Sequence, residues 1–237
     1  PLELEDTIFK IEGVLHKMFR FSKNNKLIEL EALCKQYFQK DKERFIYLLV
    51  NEAILYEDLE AYDVAKEKFE QALEMCDKTS SSYVFVMDEF SRLLQKTELY
   101  NDALEKLYFV EQYYQSKQDL KKLRNVRNRI GLNLCFIGNI KKSIFYLERI
   151  YFSDFNGKFN TDNILSCEVT NNLSICYMET GNYDKALKLQ DELYRLYLVA
   201  KNVPINYATD ILQNKGSVYL YQHEYKDALF ICKSFIR

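Results

Sequence analysis

Apolar residues recur along this chain at helical spacing, and the helical stretches recur as a set. Tyr62-Asp63-Val64-Ala65 runs on to Phe69 and Ala72. The same arrangement returns as Tyr100-Asn101-Asp102-Ala103, Ile140-Lys141-Lys142-Ser143, Tyr183-Asp184-Lys185-Ala186 and Tyr225-Lys226-Asp227-Ala228. Each places an aromatic or aliphatic residue three positions before a small one. The small residues stand at 65, 103, 143, 186 and 228, with gaps of 38, 40, 43 and 42. Nine positions before each lies a large residue: Tyr56, Leu94, Leu134, Tyr177 and Tyr219. Twelve before lies a small one: Ala53, Ser91, Gly131, Ser174 and Gly216. Small residues on both segments let two helices approach closely, while the large ones fill the groove beside them. Between the segments stand Leu59-Glu60, Thr97-Glu98, Gly138-Asn139, Gly181-Asn182 and His223-Glu224. The two Gly-Asn pairs mark a helix C-terminus followed by a tight turn. The predicted unit is helix A, short turn, helix B.

From about residue 46 to 237 this pattern resembles the tetratricopeptide repeat. It departs from it at Leu134 and Ile140, where aromatics are usual, and at Glu52, where the family carries Leu. The periods also exceed the family's spacing of ~34 residues, which implies longer B helices or longer connections. Ser153 to Asp162 reads as such a loop, and Thr79-Ser80-Ser81-Ser82 as a turn and N-cap. The expected fold is all-α, a right-handed α-solenoid of tetratricopeptide-like helical hairpins. Residues 1–45, with Leu4, Ile8, Ile11, Leu15, Met18 and Phe19 at helical spacing, are expected to add a degenerate N-terminal hairpin. Five repeats follow as one continuous solenoid, at about 46–79, 84–117, 124–152, 167–200 and 209–237. There is no initiator Met, and the last repeat stops near the end of its B helix. The chain is therefore expected to be part of a longer protein.

Composition narrows the chemistry. The net charge of −2 provides no broad positive field for nucleic-acid phosphates. Uncharged runs are too short to cross a bilayer, so no membrane is expected. Two histidines, His16 and His223, and six glycines outside any Gly-rich loop argue against His-ligated metals and phosphate-cradling turns. Cys34, Cys76, Cys135, Cys167, Cys176 and Cys232 form no C-x-x-C and sit among apolar residues, as reduced thiols of a cytoplasmic protein do. No nucleophile–base pair can be named, so neither enzyme activity nor a cofactor or metal is expected. One basic cluster, Lys121, Lys122, Arg124, Arg127 and Arg129, lies near Tyr113-Tyr114. Aromatics at this spacing read as core rather than as a base-stacking surface.

In a tetratricopeptide stack the A helices line the concave wall. The positions eleven, fourteen, fifteen and eighteen before each small B-helix residue share one face of helix A. Fourteen before stand Asn51, Glu89, Arg129, Asn172 and Asn214; fifteen before, Val50, Asp88, Asn128, Asn171 and Gln213. Eighteen before stand Tyr47, Phe85, Asn125, Glu168 and Asp210; eleven before, Ile54, Arg92, Leu132, Ile175 and Ser217. Side-chain amides are concentrated on this wall although Asn is a mediocre helix former. An amide offers one acceptor and a donor group, matching a peptide unit, so a row of amides suits an extended backbone. The same amides would also serve to bridge helices within the stack. Arg92 and Arg129 suit a carboxylate; Asp88 and Glu168 suit a cation. The expected groove residues are Asn51, Asp88, Arg92, Asn125, Asn128, Arg129, Glu168, Asn171, Asn172, Gln213 and Asn214. Chaperone-tail adaptors of the family use Lys fifteen and eighteen positions before the small residue, and no repeat here has one.

Long repeats and the asparagines Asn51, Asn172 and Asn214 resemble the sensor domain of the cytosolic peptide-pheromone receptors of Gram-positive bacteria, the Rap/NprR/PlcR/Rgg group. That resemblance implies a short linear peptide held in the concave groove and a homodimer. It also implies transcription regulated through a DNA-binding segment outside residues 1–237. The alternative is a constitutive scaffold that binds a partner's tail or helix and has no switch.

Overall fold

The computed structural model describes residues 41–155, 164–199 and 205–235. The proposed N-terminal hairpin, with His16 and Cys34, lies outside these residues save for 41–45, and so does most of the expected loop after Ser153. The described residues form ten helices and no strand: α1 (Lys42–Asp58), α2 (Tyr62–Met75), α3 (Ser81–Lys96), α4 (Tyr100–Ser116), α5 (Leu120–Phe136), α6 (Ile140–Phe155), α7 (Ile164–Glu179), α8 (Tyr183–Val199), α9 (Ile205–Tyr221) and α10 (Tyr225–Phe235). Odd-numbered helices are the A helices of the repeat and even-numbered ones the B helices. The fold is an all-α stack of tetratricopeptide-like hairpins, as the periodicity predicts. Helix α6 runs on to Phe155, past Ser153 where a loop was expected; Ile150, Tyr151 and Phe152 keep the helical apolar pattern through that point.

One local device ends every described A helix. The residue two after the last helical one has positive φ: Glu60 (60°), Glu98 (61°), Gly138 (79°), Gly181 (74°) and His223 (61°). The next amide reaches back over the turn, as in Ala61 N to Tyr56 O at 2.9 Å and Asn139 N to Leu134 O at 2.8 Å. This satisfies orphan carbonyls at the helix end and turns the chain directly into helix B. Gly138 and Gly181 adopt the left-handed conformation without a Cβ penalty. Helix starts are capped by Asp41, Ser80 and Asp119, whose side chains accept from the amides of Arg44, Tyr83 and Lys122. Ser80 thus fills the N-cap role read from its sequence.

The chain divides into two compact units, residues 1–110 and 111–237. In the first, Ala53, Ala65 and Ala72 are fully buried and let α1 and α2 close on each other. Phe69 and Phe90 stack at 5.1 Å between ring centroids. Glu52, at the family's Leu position, is only 2% exposed, and Lys68 of α2 brings its Nζ to 3.1 Å from Glu52 Oε2. In the second unit, Gly131 of α5 receives Leu147 of α6. A Cβ built on Gly131 would stand 2.8 Å from Leu147 Cγ and Cδ2. Ser143 Oγ donates to the Gly131 carbonyl at 2.6 Å and lies 3.1 Å from Cys176 Sγ. The core then continues through Leu147, Ile150, Val169, Leu173, Ala186 and Val218.

Candidate functional site: an amide wall on α5, α7 and α9

The expected groove residues separate by unit. Asn51 on α1 and Asp88 on α3 are half-buried, and Arg92 on α3 is exposed, with its Nε 3.8 Å from Glu89 Oε1 of its own helix. The other eight lie in the second unit. Asn125, Asn128 and Arg129 come from α5, Glu168, Asn171 and Asn172 from α7, and Gln213 and Asn214 from α9. Asn125 and Gln213 are exposed; Asn128 and Asn172 are buried; Arg129, Glu168, Asn171 and Asn214 are half-buried.

Within this unit the amides join successive A helices. Asn172 Nδ2 donates to Asn128 Oδ1 at 3.0 Å, and Asn128 Nδ2 donates to Glu168 Oε2 at 3.3 Å, tying α7 to α5. Asn214 Nδ2 donates to Asn171 Oδ1 at 2.9 Å, tying α9 to α7. Asn171 Oδ1 also accepts from Gln190 Nε2 of α8 at 3.0 Å, and Gln190 donates further to Ser174 Oγ. Each rung spans one repeat, which is why the pairs are separated by 44, 40 and 43 residues. The rungs use only part of each amide. Among the described residues, Asn171 Nδ2, Asn172 Oδ1 and Asn214 Oδ1 take part in no further hydrogen bond. The wall therefore offers both a donor and acceptors, the complement of a peptide unit.

Sequence reasoning missed Gln190. It is fully buried on α8, four positions after Ala186, where three other repeats place Phe69, Leu107 and Leu147. A polar residue at a position that those repeats keep apolar was the available signal. Its Oε1 is buried without a partner among the described residues, while its Nε2 holds Asn171 in place.

The charges around the wall are largely committed. Arg127 Nε sits 2.7 Å from Glu111 Oε1, and Tyr146 Oη donates to Glu111 Oε2 at 3.1 Å. Lys122 Nζ lies 5.1 Å over the Tyr114 ring, and Tyr114 is itself buried. Arg127 and Lys122 of the basic run on α5 are thus spent on packing, and Tyr114 is core as its spacing predicts. Two tyrosines brace B helices. Tyr177 Oη donates to Glu148 at 2.6 Å and Tyr151 Oη to Glu192 at 3.3 Å. Burial, then the Glu192 charge, push the Tyr151 hydroxyl up to about 12. Burial and the bond to Glu148 raise that of Tyr177 as well. Behind the wall the Cys135 thiol bonds Cys176, and that bond together with burial raises it. Among the described residues no group of His, Cys, Asp and Glu could hold a metal ion, and no helix is long and apolar enough to cross a membrane.

No family model matches the sequence, and no curated protein does either. Solved structures match its fold. The tetratricopeptide-sensor STAND ATPase PH0952 from Pyrococcus horikoshii superposes with a TM-score of 0.78 at 20% identity, covering 100% of this chain and 36% of that one. The apo form of the quorum sensor NprR from B. thuringiensis gives 0.71 at 13% identity, covering 98% of this chain and 64% of that one. NprR in complex with its cognate peptide NprX gives 0.68 at 13% identity, covering 97% and 66%. At such identities the likeness is one of architecture, and the chain has the tetratricopeptide-repeat fold.

Proposed function

We propose that this chain is a peptide-binding sensor domain of a cytosolic signalling-peptide receptor. It would regulate transcription through an output segment that is not among these residues. The observation that carries the reading is the amide wall. Asn171, Asn172 and Asn214 stand in register on neighbouring A helices, and each keeps hydrogen-bonding capacity beyond its rung. An extended peptide of about 5–10 residues laid along α5, α7 and α9 would present its backbone to that row. The peptide complex of the fold-related NprR supports the choice of ligand class. A ligand that prefers one spacing of the A helices would shift the stack toward it, because small rotations per repeat accumulate.

The test is native mass spectrometry of the chain with a randomised library of linear heptapeptides. Expected is a mass gain of one peptide per chain. Asn172→Ala should weaken the recovered peptide's binding by roughly 1–3 kcal/mol. No peptide retained, or undiminished affinity in both Asn172→Ala and Asn214→Ala, would leave the amides as structural rungs of a constitutive scaffold.

A further inference from the structure

Two cysteines meet on the seam between α5 and α7. The rungs of the amide wall fix how these helices lie together. Asn128 bonds both Glu168 and Asn172, so it stands level with residues 168–172 of α7. Cys135 is seven residues on, about two turns of α5, and that register sets it level with residues 175–179. Cys176 is there, and the two thiols bond each other. Cys176 Sγ also lies 3.1 Å from Ser143 Oγ of α6. That hydroxyl has one hydrogen and gives it to the Gly131 carbonyl at 2.6 Å. The Cys176 thiol therefore donates to Ser143, and the Cys135 thiol donates to Cys176. No other repeat has Cys at either position, and where this one has Ser143 the other four have Ala.

The two sulfurs differ in access. Cys135 is half-buried, while Cys176 is 0% exposed. A reagent from solution meets Cys135, and Cys176 meets that reagent through Cys135. We infer that Cys135 and Cys176 form a redox-modification site, which a low-molecular-weight disulfide of the glutathione class converts to an intrachain disulfide that locks α5 to α7. Cys135, as its thiolate, attacks one sulfur of the small disulfide. That S–S bond breaks, and the first small thiolate leaves and takes up the proton that Cys135 gave. Cys176 then gives up its own proton and attacks the Cys135 sulfur, and the second small thiol leaves with that proton. Two protein thiols are oxidised, and one small disulfide is reduced to two thiols. The bond to Cys176 and burial hold the Cys135 proton tightly, so the first step is slow. The pair suits a response to sustained oxidant rather than a catalytic dithiol.

The lock differs in kind from the rungs beside it. The bonds of Asn128 to Asn172 and Glu168 can open and re-form as α5 and α7 shift against each other. A covalent bond farther along the same seam cannot. Oxidation therefore holds these two A helices at the spacing of the reduced chain. It also closes a loop between residues 41 apart in sequence, which restricts the unfolded chain. On the peptide-sensor reading, the wall would then keep one spacing whether or not a ligand is present. The disulfide itself does not rest on that reading and can form in a chain that binds no peptide.

The experiment incubates the full chain, reduced at the start, with oxidised glutathione and maps its cysteines by mass spectrometry. Cleavage after Glu168 separates Cys167 from Cys176. Expected is a cross-link from Cys135 to Cys176 that carries no glutathione and is undone by excess reduced glutathione. Cys176→Ala should instead hold glutathione on Cys135, and Cys135→Ala should leave Cys176 unmodified. In the oxidised wild type, hydrogen exchange should slow several-fold in α5 and α7 and keep its reduced rates in α1 to α3, and the urea midpoint should rise. In Cys176→Ala the oxidant should do neither. Each comparison is between two redox states of one chain, so a variant's own stability does not enter. Glutathione that stays on Cys135 of the wild type would overturn the inference. So would a Cys135 that reacts only once urea has unfolded the chain, or a cross-link that forms and leaves exchange in α5 and α7 unchanged.

Discussion

Glu52 occupies a position where other repeats bury Phe90, Ile130 and Leu173. A carboxylate there is tolerated because Lys68 of the facing helix meets it at 3.1 Å. Such a pair contributes little net stability over apolar residues, but losing one partner leaves a buried charge without compensation. Lys68→Met is therefore expected to cost about 2–4 kcal/mol in denaturant unfolding, while Glu52→Leu/Lys68→Met returns to the wild-type value or above it. A double variant as unstable as the single one would contradict this account. The sequence showed Glu52 as a departure from the repeat, but its compensating Lys68 was one of two lysines of α2. Only the fold distinguishes it from the exposed Lys66.

Element by element, the hairpins were legible because their signals are steric. Small residues at two fixed positions and a left-handed turn leave the helices one way to pack. The turn signal was plain at Gly138 and Gly181 and silent at Glu60, Glu98 and His223, which adopt the same conformation without advertising it. The amide wall was legible as a face but not as a set of bonds. Asn side chains look alike whether they await a ligand or bridge helices, and Asn171 and Asn172 do the latter with Oδ1 and Nδ2 respectively. The tyrosine braces were not legible at all, since Tyr151 and Glu192 are 41 residues apart. They carry a pH signature. The Tyr151 hydroxyl is raised from 10 to about 12 in the folded chain, so its proton is held more tightly folded than unfolded. Its contribution is complete below pH 10 and is lost as pH climbs toward 12. In alkaline titrations followed by circular dichroism, Tyr151→Phe should lose stability less steeply over that window than the wild type. An unchanged slope would remove the brace from the account.

At the scale of the whole molecule, a repeat stack is stabilised by contacts between neighbours, and damage stays near its source. Gly131→Ala offers a clean lesion. Its Cβ would meet Leu147 at 2.8 Å, an overpacking expected to cost about 1–3 kcal/mol. Hydrogen exchange should then quicken in α5, α6 and the facing part of α7 and leave α1 to α3 at wild-type rates. Uniform acceleration along all ten described helices would instead mark the chain as a single cooperative block.

Three hairpins carry a polar lock of their own between helix A and helix B. Glu52 meets Lys68 in the first, Ser143 the Gly131 carbonyl in the third, and Gln190 meets Ser174 in the fourth. No two of these locks share a chemistry, so a B helix moved to another hairpin would strand its own polar group and that of its new mate. A crossover at an A–B turn therefore breaks such a lock, whereas one in a B-to-A connection leaves all three intact. A hairpin duplicated or traded whole keeps its own lock, and a cut at an A–B turn, where the five backbones share one left-handed residue, is the one that severs it.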